Sequence, residues 1–95
     1  MLDEFLEELI RRAGDKGYVP YIFMNMRERY GSIESIERLV KSVKVQTGFK
    51  KLRELALLEW SIEAAVVRFP DEFTKDAFAC AQFRLANVND PALRK

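Results

Sequence analysis

The stretch GSIESIERLVKSVKVQTGFKKLRELALL, residues 31–58, decides the fold. Ile33, Ile36, Leu39, Val40 and Val43 recur at three- and four-residue spacing, so on a helix they share one face. Gly31-Ser32 marks the start, because a serine oxygen can satisfy an orphan N–H of the first turn. The period loosens through Lys44, Val45, Gln46 and Thr47, and Thr47 is a second candidate cap. Phe49, Leu52, Leu55 and Ala56 restart it. Two amphipathic helices joined by about four residues make an αα-hairpin or a helix-turn-helix.

Outward from this pair the helical period continues in both directions. Residues 2–13 read as a helix with Leu2, Phe5, Leu6, Leu9, Ile10 and Ala13 on one face. Acidic residues crowd its first half and Arg11 and Arg12 its end, as the helix dipole favours. Glu7–Arg11 and Glu8–Arg12 have the favourable four-residue spacing, and Gly14 is the expected stop. In residues 18–30, Pro20 argues against a paired strand and suits the first turn of a helix. The spacing predicts a helix over 20–30, with Ile22, Phe23, Met26 and Tyr30 on one face.

Ser61 reads as the cap of a short helix 62–69, with Glu63 in its first turn and Pro70 ending it. Thr74 caps a last helix, 75–86, and Phe73 and Phe78 match a hydrophobic staple. On that helix Ala77, Phe78, Ala81 and Leu85 form one apolar face, and Ala79 and Phe83 lie almost opposite. Lys75, Asp76, Gln82 and Arg84 are its polar residues. Asn87 to Pro91 ends it, and the last five or so residues are expected to fray.

The expected fold is therefore all-α: one domain over residues 1–95, a compact bundle of five or six short helices around a helix-turn-helix-like central pair. At 48% apolar residues and 33% charged, the chain has enough to bury a core and is not a disordered composition. The acidic-then-basic N-terminal stretch is the reverse of a signal peptide, and no apolar run approaches membrane-spanning length. A single cysteine, Cys80, forbids an internal disulfide and suits a reducing cytoplasm.

Histidine is absent, which removes Ser-His-Asp and Cys-His nucleophilic mechanisms and nearly every common zinc site. Nothing near Cys80 in sequence would lower its pKa, so it reads as a small core residue. The four glycines form neither a phosphate-binding loop nor a dinucleotide fingerprint. Asp71, Glu72 and Lys75 lie too close together to form a carboxylate–lysine nuclease site, and read as turn and cap. No enzyme activity, metal, cofactor or small-molecule ligand is expected.

Two binding functions remain. The first is a binding or adaptor module that contacts a partner protein or a second copy of itself through Ala79, Phe83 and Trp60. The second is nucleic-acid binding through the basic segment Arg38, Lys41, Lys44, Gln46, Thr47, Lys50, Lys51 and Arg53. A net charge of +1 argues against a dedicated nucleic-acid binder. So do Glu34 and Glu37, placed to pair with Arg38 and Lys41. Protein–protein contact is the leading expectation.

Overall fold

The structure is a computed structural model that describes residues 1–42 and 47–87, with Thr47 and Gly48 described by their backbone alone. Six α-helices form among the described residues: α1 (Leu2–Asp15), α2 (Tyr21–Tyr30), α3 (Ser32–Val40), α4 (Thr47–Glu54), α5 (Ile62–Arg68) and α6 (Lys75–Ala86). Short 3-10 turns, Leu58–Trp60 and Pro70–Glu72, precede and follow α5. The all-α bundle is as expected. The expected contributions of Val43, Lys44 and Gln46, and the frayed tail, lie outside the described residues.

The period of α1 buries Leu2, Phe5, Leu6, Leu9 and Ala13 together. Its first four meet Phe23, Ile36, Val40, Ala64, Ala65, Val66, Ala77 and Ala81 in the main core. Ala13 instead joins Leu52 and Leu57 in a smaller cluster under α4. Trp60 packs against both clusters and so joins α4 to the body. Within the pair from the central stretch, α3 packs chiefly on α2, α5 and α6, and α4 chiefly on the Leu58–Trp60 turn.

The caps of the second half form as expected. Ser61 Oγ accepts the Ala64 N–H at 3.1 Å, and Thr74 Oγ1 accepts the Ala77 N–H at 3.1 Å. Phe73 and Phe78 both pack against the main core. Pro70 turns the chain straight into a 3-10 turn.

Five local expectations are corrected. The α1 stop is Gly17, not Gly14. Gly17 takes φ +84° and the Tyr18 N–H reaches back to Ala13 O at 2.9 Å, a Schellman closure that needs the left-handed backbone. Ser32 is the first residue of α3 rather than its cap, and its hydroxyl accepts from Arg27 and donates to Asp3. Glu7 pairs with Arg27 of α2 at 2.6 Å, not with Arg11, whose guanidinium bonds Glu8 and Asp15. Finally, only Phe23 of the proposed α2 face is buried. Ile22 is 70% exposed, because α2 rests chiefly on α3 and, among the described residues, no second layer covers its outer side. Ile33, expected in the core, is also exposed at 42%.

The end of α4 repeats the Schellman pattern with the wrong residue type. The Leu57 N–H bonds Leu52 O at 2.8 Å and the Ala56 N–H bonds Arg53 O at 3.1 Å, which forces Ala56 to φ +59°. An alanine there carries a Cβ penalty that glycine avoids, partly offset by the greater freedom of glycine in the unfolded chain. Ala56→Gly is expected to stabilise the protein by about 0.5–1 kcal/mol. Urea denaturation checks this, and a lower midpoint would refute the strain.

Candidate functional site

The sequence offers two surfaces, and the structure treats them differently. On α6 the inner side buries Ala77 and Ala81, while Ala79 is exposed and Phe83 is 60% exposed. These two lie one turn apart on the outward side, as their spacing predicts. The two-faced character of α6 thus survives folding. Trp60 is only half-buried, but its ring is engaged: it stacks on Phe5 at 4.8 Å between centroids, and the Arg12 guanidinium lies 4.4 Å over it. It is a packing residue joining two clusters, with little ring face left for a partner. Cys80, read as a core residue, is half-buried.

The basic segment is divided. Arg38 bonds Glu34 at 2.7 Å and its guanidinium lies 4.1 Å over the Tyr30 ring. Lys41 bonds Glu37 at 3.0 Å. Both acid-before-base pairs expected on α3 therefore form. Lys44 and Gln46 lie outside the described residues. Thr47 opens α4. Lys51 is exposed, and Lys50 and Arg53 are half-buried. Arg38 on α3 and Lys41 at its end are thus held by their own carboxylates, and Lys51 is the exposed lysine of α4.

Glu37 does more than neutralise Lys41. Its carboxylate accepts the Thr74 N–H at 2.7 Å and the Thr74 hydroxyl at 2.9 Å, so α3 caps the start of α6. Burial pulls the Glu37 carboxyl upward, but the Thr74 N–H, Lys41 and the Thr74 hydroxyl outweigh it and hold it below the ordinary glutamate range.

The polar group that sequence reasoning missed is the buried pair of Glu63 and Arg84. Both read as surface charges on amphipathic helices, yet they are 1% and 5% exposed. Arg84 Nη1 bonds Glu63 Oε2 at 2.9 Å and Leu39 O at 3.1 Å, and Nη2 bonds Ser42 O at 2.7 Å. One guanidinium thus fastens α6 to α5, to the last turn of α3 and to the residue two beyond its end. Glu63 Oε1 has no hydrogen-bond partner among the described residues. Burial pushes the Glu63 carboxyl up, against the downward pull of Arg84. A signal for Arg84 exists: at 100° per residue it lies about 20° from Ala77 on the α6 wheel, on the inner side.

Among the described residues, no group of three or more metal-ligating side chains converges. No helix among them is long and apolar enough to cross a membrane. No protein-family model matches the chain, and no curated protein or solved structure is similar to it at a significant level.

Proposed function

We propose that this chain is a non-catalytic protein-binding module whose outer α6 face docks a second copy of the chain. The observation that carries the reading is Phe83, a phenylalanine 60% exposed beside an exposed alanine one turn away, on a helix whose other side is already in the core. A two-fold axis across α6 would set the Phe83 ring of each copy over the Ala79 of the other, an isologous contact in which the small residue makes room for the large one. A net charge of +1 adds little repulsion between copies. Single exposed apolar residues are ordinary, but here Phe83 stands next to the exposed small residue Ala79, with Lys75, Asp76 and Gln82 as the polar rim of the face.

Phe83→Glu is expected to shift the mass measured by light scattering from dimer to monomer, with helicity by circular dichroism unchanged. A wild-type chain that is already monomeric at high concentration would count against the second copy. The nucleic-acid reading has less support: two of its cations are ion-paired on α3, which leaves chiefly the lysines of α4 to contact phosphate.

A further inference from the structure

A second surface, independent of the α6 face, runs along the outward side of α3. An open cleft of about 670 Å³ at the start of α3 meets a smaller one of about 390 Å³ further along it, and they share Ile33, Glu34 and Glu72. Together they form one groove from Tyr30 to Lys41. At 1.5 Å per helical residue its length is roughly 16 Å, enough for about five extended residues.

The walls of the groove are fixed. One is α3 itself. The other is the segment 71–74, held to α3 by the two bonds from Thr74 to Glu37. A groove built this way needs little ordering before a ligand binds. Its lining has two characters. Met1, Tyr30 and Ile33 make an apolar end, at 80%, 39% and 42% exposure. Beside it stand Asp71 and Glu72, both exposed and without an ion pair among the described residues. The other charges of the groove are compensated: Asp3 by Arg27 and Ser32, Glu34 by Arg38, Glu37 by Lys41, and the Met1 ammonium by Glu4.

The uncompensated charge is negative, which selects against phosphate and for a cation. The groove is also too open to enclose a small molecule, which needs most of its surface buried. We infer that the α3 groove binds a short segment of a partner protein in which an apolar side chain, seated on Ile33 beside the Tyr30 ring that Arg38 covers on one face, lies close in sequence to a lysine or arginine that pairs with Glu72 and Asp71. The contact is small and belongs to the weak, transient class.

Panning a phage-displayed library of short random peptides on the intact chain tests this. On the wild type, the enriched peptides are expected to carry Lys or Arg within about four residues of Leu, Ile, Phe or Met, a spacing that fits the groove length. One enriched peptide, synthesised and fluorescently labelled, is then titrated by anisotropy. Its Kd should weaken by about tenfold or more in Asp71→Lys with Glu72→Lys, and likewise in Ile33→Asp. Glu72→Gln is the milder variant should the lysines disturb the fold. Phe83→Glu should leave this binding unchanged, which separates the groove from the α6 face. No enrichment, enrichment of acidic peptides, or equal affinity for the Asp71 and Glu72 variants overturns the inference. So does loss of peptide binding in Phe83→Glu. A wild-type dimer that dissociates in the Asp71 and Glu72 variants would assign the groove to a second copy instead.

Discussion

Arg84→Leu is expected to cost about 3–5 kcal/mol of folding stability at neutral pH, a large share of what a domain of this size has. Two losses combine. Glu63 is left as a buried carboxylate with no cation, and the carbonyls of Leu39 and Ser42 lose their donor. The two can be separated. In Glu63→Leu with Arg84→Leu the stranded charge is gone but the carbonyls remain unpaired, so the double variant should recover only part of the loss.

The pH dependence gives a second handle on the same pair. Burial already raises the Glu63 carboxyl, and removing Arg84 takes away the group that pulls it down. A carboxyl raised in the folded state takes up a proton on folding. Its favourable contribution is therefore complete below the unfolded glutamate value of about 4.3 and is lost as pH rises through the raised folded value. The gap between Arg84→Leu and wild type should thus be smaller near pH 4.5 than at pH 7. Denaturant titrations at the two pH values measure it. A gap that is flat or grows on acidification would show that Glu63 is not the stranded charge.

The same pair marks where sequence reading stops. Elements whose signal is local were legible: the apolar period of α1, the caps at Ser61 and Thr74, and the proline that ends α5 each depend on residues within one turn. The outward Phe83 was legible for the same reason, since a helix wheel places it opposite Ala77 and Ala81. Glu63 and Arg84 are 21 residues apart, and each alone looks like a charge at a helix end. Their burial is set by where α3 ends, which neither helix encodes. Glu37 misled in a similar way: its pairing with Lys41 was visible four residues away, but its bonds to Thr74 span 37 residues. Ile22 and Ile33 failed in the opposite direction. Both obey the apolar period, and both are exposed because no described element covers that side of α2 and α3. Of the two proposed binding surfaces, the α6 face could be read from spacing alone. The α3 groove exists only because a distant turn, Pro70–Glu72, comes to rest beside it.

Phe5→Ala should produce a loss of similar size, about 3–5 kcal/mol, by a different route. Phe5 is 6% exposed, and its ring is met by three side chains from two other places in the chain. It stacks on Trp60 at 4.8 Å, meets Phe69 edge-on at 5.9 Å and lies under the Arg68 guanidinium at 5.2 Å. Truncation removes the apolar transfer energy of the ring and leaves a cavity between α1, the Leu58–Trp60 turn and the end of α5, which close packing cannot readily refill. Phe5→Leu retains most of the volume and should cost less, about 1–1.5 kcal/mol. The position carries a convenient reporter. Trp60 is the only tryptophan, so intrinsic fluorescence reports the environment of the stacked ring itself. In Phe5→Ala the emission of the folded protein should shift to longer wavelength as water reaches the indole, and the unfolding midpoint should fall. Trp60 also touches the small cluster of Ala13, Leu52 and Leu57, so a loosened Trp60 weakens the hold on α4 as well as the main core. Unfolding of Phe5→Ala followed by fluorescence should therefore precede unfolding followed by circular dichroism, whereas in the wild type the two coincide. Coincident transitions in the variant would mean that α4 does not depend on the Phe5–Trp60 stack, and a loss below about 1 kcal/mol would mean that the site collapses around the missing ring.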